Sequence, residues 1–322
     1  MKKTIALSSI SLLAAFLIAQ AVAQAPKPPA GQQAPARQPA ASAVDQSVRE
    51  AIALVEAGNA AGALQKLQAL EKDPAMPPQV RSLVGALYLQ INRPQEAIAV
   101  LGPLAAAEDA EPAVLYNAGR AALLTGDVET GRTYLTRSIL KAPGSPAARD
   151  LGFLTAREGR VVEAYSMLRP WALRNLEDTD ARLMAASLAL QLERPDAAAE
   201  HLQGMPENDP ALRLLRGKIL VQKKDGPGAV ALLKPLLANH PEGMDLEIRR
   251  NLAEAELLAG NAAEAVQLLD GHAAGYPAVA LLLARAQRQA GNAAAATATL
   301  KPLADKLPAD AAGLGDPRPA AG

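Results

Sequence analysis

Three histidines are the side chains in this sequence best suited to bind a metal ion or to transfer a proton. They are His201, His240 and His272. None has a second histidine four residues away, the spacing that places two imidazoles on one face of a helix. His240 directly precedes a proline, which is typical of a loop. The spacing therefore predicts ordinary surface or helix-seam positions for all three histidines.

The other motifs that carry chemistry are incomplete or missing. Gly226-Pro227-Gly228 is only superficially like a phosphate-binding loop, because the GxxxxGK[ST] spacing and a preceding strand are missing. The sequence has no GxSxG motif of a serine nucleophile and no cysteine, which excludes disulfides and thiolate metal sites. We predict that the protein is not an enzyme and that it holds no cofactor and no metal ion.

A repeated skeleton organises residues 44–308. Each copy has a turn residue, a small residue five positions later and a leucine four positions after that. Successive turn residues lie 31 to 36 positions apart, at Gly58, Asn92, Gly126, Gly159, Glu193, Lys224, Gly260 and Gly291. A period near 34 is typical of helix–turn–helix arrays. The pattern predicts an all-α fold of about eight helix pairs, with a local irregularity at Lys224–Gly228.

Two columns of residues indicate how the two helices of a pair pack. Nine positions after each turn the chain carries leucine, at Leu67, Leu101, Leu135, Leu168, Leu202, Leu233, Leu269 and Leu300. Seven positions before each turn it carries glycine or alanine, at Ala51, Gly85, Gly119, Gly152, Ala186, Gly217, Ala253 and Ala284. Glycine inside a helix costs about 1 kcal/mol relative to alanine. The glycines therefore predict helices packed too closely for a larger side chain, and the leucines are predicted to face the seam.

Prolines are predicted at helix boundaries. Five of them lie twelve positions after the small residue and are predicted to close a unit: Pro143, Pro210, Pro241, Pro277 and Pro308. Pro94 and Pro195 are predicted at the first position of a second helix, where a missing N–H costs little.

On these residues the chain resembles the tetratricopeptide repeat (TPR) family. Family positions are occupied by Ala97, Gly119, Gly126-Asp127, Gly152, Ala164 and Pro143. The resemblance covers residues 44–308 and implies a right-handed α-solenoid of about eight repeats. The chain departs from the family in its first helices, where Tyr88 is the one clear aromatic retained. Polar Glu50 and Arg216 replace the leucine that the family prefers.

The resemblance also implies a concave groove lined by the first helices of the repeats. Residues four apart share a helix face, so Arg149, Phe153 and Arg157 form one stripe, and Tyr116, Arg120 and Leu124 form the matching stripe one unit earlier. Basic residues at family groove positions continue with Lys218, Arg250, Arg285 and Arg288, whereas acids there are few, chiefly Glu56 and Glu254, with Asp45, Asp180 and Glu247 near helix starts.

We predict a partner-binding site at Tyr116, Arg120, Arg149, Phe153, Arg157, Lys218, Arg250 and Arg285. Arginine forks suit carboxylates, so the hypothesis is an acidic or carboxylate-bearing extended segment as ligand. The alternative is that these arginines are merely solvated.

The ends of the chain predict export. Lys2 and Lys3, the apolar run 4–17 and Ala21-Val22-Ala23 have the form of a signal peptide over residues 1–23, with Ala19-Gln20-Ala21 as a second cleavage site. The alternative is an uncleaved anchor, the one case in which we predict membrane contact. Residues 24–43 are predicted to be a disordered proline- and alanine-rich linker, and residues 309–322 a flexible tail. From the predicted signal peptide we expect a periplasmic or secreted protein. Because the sequence has no cysteine that could carry a lipid, we expect that it is not a lipoprotein.

Charge gives no indication of a nucleic-acid partner, because 33 basic residues balance 33 acidic residues. We predict a non-catalytic protein–protein interaction adaptor or scaffold of the cell envelope, which binds a partner protein or an extended peptide in the groove. The alternative is a component of an exopolysaccharide export or assembly machinery, whose groove would favour exposed aromatics with acidic or amide side chains. A third hypothesis is a non-catalytic subunit of an enzyme complex.

Overall fold

The computed structural model describes residues 39–74 and 76–304, with only the backbone described at 39–43. The predicted signal peptide (1–23), the predicted tail (309–322) and most of the predicted linker lie outside the described residues. Within the described ranges the secondary structure is entirely helical, with sixteen α-helices and one 3-10 helix. The predicted all-α fold is confirmed.

The sixteen helices follow one another as eight pairs, each with a first and a second helix. The bounds are α1 (Pro39–Glu56) and α2 (Ala60–Glu71), α3 (Pro78–Gln90) and α4 (Pro94–Ala106), α5 (Pro112–Leu124) and α6 (Val128–Lys141), α7 (Ala147–Arg157) and α8 (Val161–Arg174), α9 (Thr179–Gln191) and α10 (Pro195–His201), α11 (Pro210–Gln222) and α12 (Gly226–Leu233), α13 (Asp245–Leu258) and α14 (Ala262–Leu269), and α15 (Pro277–Gln289) and α16 (Ala293–Ala304).

The chain divides into two compact units, residues 1–80 and 81–322. In the described part of the first unit, α1 and α2 pack through fully buried Ala51, Ala63 and Leu67. Glu50, polar where the family prefers leucine, forms an ion pair with Lys66 on the facing helix. The polar substitution is therefore paired within its own helix pair.

Helix α1 begins earlier than the sequence predicted. Residues 39–43, predicted as the end of a disordered linker, belong to this helix. Pro39 stands at the first helical position, where its missing N–H breaks no intrahelical bond. Alanine at positions 40 and 41 has the highest helix propensity. The helical segment therefore starts five residues before position 44.

The backbone at all eight predicted turn residues is left-handed. Five are glycines, and the other three are Asn92 (φ 58°), Glu193 (φ 56°) and Lys224 (φ 64°). A residue in this conformation ends a helix, because the chain can no longer continue the right-handed spiral. In four turns the next residue caps the second helix: Asn59, Asp127, Asp225 and Asn292 each accept a hydrogen bond from the backbone N–H three positions on.

The leucine and glycine columns meet in the seam of each pair. Seven of the eight leucines are at most 3% exposed, and Leu300 in α16 is half-buried. A Cβ atom added to Gly119 would lie 2.8 Å from Cγ of Leu135, closer than real Cβ contacts. The prediction that these glycines mark a close helix approach is confirmed.

Three of the last four second helices are short, whereas α16 has 12 residues. Helices α6 and α8 have 14 residues each, whereas α10 has 7 and α12 and α14 have 8. The irregularity predicted at 224–228 lies further along the chain. The turn at Lys224 has the same left-handed backbone as the other turns, and the repeat becomes irregular where α12 gives way to a 3-10 helix at Lys234–Leu237. Gly226 is buried, and a Cβ there would meet the backbone N of Ala259 at 2.6 Å.

Several prolines stand at helix starts, whereas Pro103, Pro170 and Pro302 lie inside helices. Pro94 and Pro195 begin second helices, as predicted. Pro210 and Pro277, predicted to close a unit, are also the first residues of α11 and α15. One proline thus separates two units by starting the first helix of the next unit.

Arginine side chains bind the free carbonyls near the ends of second helices. Arg137 donates to the carbonyl oxygens of Ala105 and Ala107 at 2.6 Å each. Buried Arg182 donates to the carbonyl of His201 at 2.9 Å. Arg216, polar where the family prefers leucine, donates to the carbonyl of Met205 at 2.8 Å. These bonds satisfy carbonyl groups that have no partner inside a helix.

No helix among the described residues is long and apolar enough to cross a membrane.

Candidate partner-binding groove

Three consecutive first helices, α5, α7 and α9, line a groove with a volume of about 710 Å³. Its charged lining includes Arg120, Arg149 and Arg157 together with Asp150 and Asp180. The helices can share one surface because each first helix follows the previous one after a second helix that packs behind it.

Four of the eight predicted site residues line this groove. Arg120, Arg149, Phe153 and Arg157 line it, as does Leu124 of the earlier stripe. On α7 the lining positions 149, 153 and 157 are four apart, so a single helix face carries them. The remaining predicted residues, Tyr116, Lys218, Arg250 and Arg285, are not part of this lining.

Two arginines of the groove stack on aromatic rings of their own helices. The guanidinium carbon of Arg149 lies 4.9 Å from the ring centroid of Phe153. That of Arg120 lies 5.5 Å from the ring of Tyr116. Burial, followed by the charge of Asp150, raises the pKa of Tyr116 well above its usual range, so its hydroxyl is neutral at physiological pH. Such stacking holds the arginine stems against the helix surface.

The same two arginines form ion pairs, which corrects the predicted basic groove. Arg149 Nε donates to Asp178 Oδ2 at 2.6 Å, and its Nη1 lies 3.2 Å from Asp150 Oδ1. Arg120 Nε lies 3.6 Å from the other oxygen of Asp150. The prediction counted few acids near these positions, and it overlooked the two aspartates that neutralise much of the charge.

Asp178 is the central acceptor of this network. Its carboxylate also accepts a hydrogen bond from Trp171 Nε1 at 2.8 Å and caps α9 through the N–H of Ala181. Burial raises the pKa of Asp178, but the hydrogen bonds from Arg149 and Trp171 outweigh burial and hold its pKa below its ordinary value. One carboxylate therefore joins α7, the end of α8 and the start of α9.

Arg157 is different from the other two arginines. Its side chain is exposed, and no ion pair or hydrogen bond involves it in the part of the chain that the structure describes. It is the arginine of the lining whose charge remains available to a ligand.

The basic residues further along the chain also divide into paired and unpaired side chains. Lys218 forms an ion pair with Glu247. Arg250 and Arg285 are exposed, and none of the ion pairs among the described residues includes them.

An apolar lining is the part of the groove that sequence reasoning missed. Leu123 and Val128 contribute apolar side chains from the third pair, and Leu183 and Met184 do so from α9, where Ser187 also belongs to the lining. A signal was present, because Leu183 has the same offset from its turn as Arg149 and Ser187 the same as Phe153. A search for charge passed over these positions.

Among the described residues, no group of three or more His, Asp or Glu side chains could hold a metal ion.

A smaller crevice of about 340 Å³ lies between the loop 270–276, α15 and α16, with Tyr276, Leu283 and Leu303 in its lining. Its walls are mostly alanine, glycine and proline, with Asp270 as a charged member.

Sequence comparison places the chain in a family. A tetratricopeptide repeat family model matches residues 48–101, 85–146 and 214–280, which together make up more than half of the chain. The chain belongs to the tetratricopeptide repeat family. A comparison with curated proteins gave no match.

Solved structures with similar helix arrays include the C-terminal part of a TPR repeat-containing protein from Cytophaga hutchinsonii (14% identity, 84% of this chain and 100% of that chain, TM-score 0.45). Another is pilF of Pseudomonas aeruginosa (13% identity, 66% and 97%, TM-score 0.43). The Cut9–Hcn1 hetero-tetramer of APC/C is a third (19% identity, TM-score 0.44); 75% of this chain aligns, over about half (49%) of that chain.

Membership of the family carries a general expectation. Tetratricopeptide repeats generally mediate protein–protein interactions, and proteins built from them are typically non-catalytic scaffolds that bind protein or peptide partners.

Proposed function

We propose that this protein is a non-catalytic adaptor of the cell envelope that binds an extended segment of a partner protein in the groove of α5, α7 and α9. The observation that carries the proposal is the combined lining of that groove, where apolar side chains from three consecutive pairs surround an unpaired, exposed Arg157.

The lining indicates the chemistry of the ligand. Leu124 is 56% exposed and Val128 is 38% exposed, so these side chains offer apolar surface that a ligand can cover. Arg120 and Arg149 already have carboxylate partners, and a second acid gains less from them than from Arg157. We therefore propose a segment with one or two apolar anchors and a carboxylate that pairs with Arg157, in place of the broadly acidic ligand inferred from the sequence.

The location in the cell envelope rests on the predicted signal peptide at residues 1–23. In this proposal the protein is periplasmic or secreted, and it contacts the membrane only if the signal segment is retained as an anchor. Sequencing the first residue of the protein from its native host tests this part: Gln24 or Val22 supports cleavage, and an intact Met1 in membrane fractions contradicts it.

The alternative role in exopolysaccharide export draws support from the two aspartates in the lining, Asp150 and Asp180. Sugar binding usually adds an aromatic face on which the ring can stack. The aromatic residue of the lining is Phe153, and the guanidinium of Arg149 covers its ring. This contact favours the peptide ligand.

A photo-crosslinking experiment tests the adaptor function. A benzophenone amino acid is introduced in the native host at Leu124 or at Arg157, which both line the groove, and as a control at exposed Thr136 on the second helix α6. The proposal expects the same partner to be crosslinked from both groove positions and not from position 136. Equal labelling from all three positions contradicts it.

Charge reversal then tests the role of Arg157. Arg157→Glu is expected to reduce crosslinking from Leu124 by about tenfold or more, the effect of losing one charged contact and adding repulsion. Arg250→Glu is the matched control, an exposed and unpaired arginine on a first helix outside this groove. Equal losses with both variants indicate a general basic surface and reject a site confined to α5, α7 and α9.

A further inference from the structure

His201 is a buried imidazole without polar partners. It is the last residue of α10, the shortest α-helix among the described residues, and is 1% exposed. Neither ring nitrogen has a hydrogen-bond partner among the described residues. The ring of Tyr165 on α8 meets it edge-on, with 6.0 Å between the ring centroids. A neutral imidazole tolerates this position better than a charged one, because nothing there accepts a hydrogen bond from a second N–H.

The charged groups around His201 oppose its protonation. From α9, Arg182 places its guanidinium on the carbonyl oxygen of His201. From α8, the charge of Arg169 acts on the imidazole, and Arg194, in the turn before α10, lies over the ring of Tyr165. From α11, Arg216 donates a hydrogen bond to the carbonyl oxygen of Met205, which lies four residues after His201 in the chain. One acid, Glu200 on the same helix, lies near, and it is itself 3.9 Å from Arg169.

Burial, the largest cause, lowers the pKa of His201 below its ordinary value of 6.5; Glu200 acts against this, while Arg169 and Arg182 act with it. In an opened segment the imidazole recovers its ordinary pKa. The open state therefore binds a proton that the closed state refuses, and opening becomes more favourable as the pH falls below about 6.5.

We infer that α10 and the loop to Met205 form an acid-sensitive hinge, which opens when His201 is protonated while the flanking repeats stay folded. Local opening is possible because the stability of a repeat array is a sum over neighbouring pairs. Helix α10 has few buried side chains of its own, Ala198 and His201, although the loop that follows adds buried Leu202 and Met205.

Opening at this hinge also changes the groove. Arg182, whose bonds to the carbonyls of His201 and Leu176 fix the start of α9, lies on the same helix as Leu183 and Met184. Release of α10 removes one of those anchors, so acid is expected to loosen the α9 wall. This coupling rests on the proposed function of the groove, whereas the hinge itself does not.

Hydrogen exchange of the full chain, without any ligand, tests the hinge. Protection factors of peptides from 195–205, corrected for the intrinsic pH dependence of exchange, are compared between pH 7.5 and pH 5.5. A proton taken up only by the open state predicts a loss of protection of about tenfold over this range. Peptides from α6 and α7 are expected to change by less than about twofold, because no histidine lies in them. The window ends above the range in which carboxylates titrate.

Variants separate His201 from the rest of the chain. His201→Leu is expected to abolish the pH dependence in 195–205, while His240→Ala and His272→Ala are expected to keep it. Should His201→Leu fail to fold, the imidazole signal of His201 is followed by NMR in the His240→Ala/His272→Ala background. A signal that titrates at or above pH 6.5 in the folded protein overturns the hinge. So does equal protection at both pH values in the parent, and either failure leaves the crosslinking test of the groove unaffected.

Discussion

Gly152 and Leu168 pack so closely that a Cβ atom on the glycine would lie 2.6 Å from Cγ of the leucine. Leu168 is fully buried, so its side chain has no free space into which it could withdraw. The same relation holds at Gly85, Gly119 and Gly217 with the leucines of their own pairs. The absence of a side chain at these glycines therefore sets the distance between the two helices.

Gly152→Ala is expected to destabilise the protein, although alanine is the better helix former. The substitution gains about 1 kcal/mol of helix propensity and introduces a clash that costs about 1–3 kcal/mol. Gly102→Ala, in the interior of α4 with no atom within 4 Å of the added Cβ, is the control and is expected to stabilise. Urea unfolding followed by circular dichroism measures both, and a gain in stability for Gly152→Ala would show that the seam can relax.

Glycine is expected to improve two of the turns. Glu193 and Lys224 have φ near +60°, a conformation that costs an ordinary residue about 1–2 kcal/mol. Glu193→Gly and Lys224→Gly remove this strain but add backbone entropy to the unfolded state. We expect each to raise the free energy of unfolding by about 0.5–1 kcal/mol, whereas Gly126→Ala (φ 90°) lowers it. Melting temperatures that fall with both glycine variants would contradict the strain argument.

Truncation of the leucine column is expected to depend on position. Leu135→Ala or Leu202→Ala removes a buried side chain and is expected to cost about 2–5 kcal/mol. Leu300→Ala, at a half-buried position in α16, is expected to cost clearly less. Hydrogen exchange in addition to thermal melting shows whether the loss stays within neighbouring pairs. Equal costs at positions 135 and 300 would mean that burial does not decide the effect.

Asp178→Asn is expected to give a pH-dependent loss of stability. The lowered pKa of Asp178 means that its ionised form stabilises the folded state above the unfolded-state pKa of about 3.9, and that this stabilisation disappears as the pH falls through the folded-state pKa. At pH 7 we expect a loss of about 2 kcal/mol, typical of hydrogen bonds to a charged group.

The control for Asp178→Asn is Asp196→Asn. The carboxylate of Asp196 is paired with Lys223 but is 89% exposed, so its removal is expected to change stability by less than about 0.5 kcal/mol. Chemical denaturation at pH 7 and at pH 3 measures the difference between parent and variant. A loss for Asp178→Asn that is as large at pH 3 as at pH 7 would assign its effect to packing and not to charge.

Local rules made much of the fold predictable. The eight turns follow from residues that end one helix and start the next, and the leucine and glycine columns follow from a repeat that places equivalent residues in equivalent contacts. Pro94 and Pro195 were predictable for the same reason, since the preference of proline for a helix start involves no distant residue.

The charge of the groove was not predictable in this way. Arg149 meets Asp178 only because α9 packs beside α7, 29 positions along the chain, and the same aspartate caps α9. In the sequence, an aspartate that caps a helix and also forms an ion pair cannot be distinguished from an aspartate that only caps a helix.

The short second helices α10, α12 and α14 have a mechanical consequence. When a repeat array is pulled from its ends, the element with the smallest buried area yields at the lowest force. Among the second helices between residues 81 and 304, the shortest are α10, α12 and α14 with 7 or 8 residues each, and we expect them to yield before α6 and α8, which have 14. A partner held by α5, α7 and α9 thus sits beside the compliant part of the chain, which extends and absorbs a load before the stiffer pairs around the ligand are disturbed.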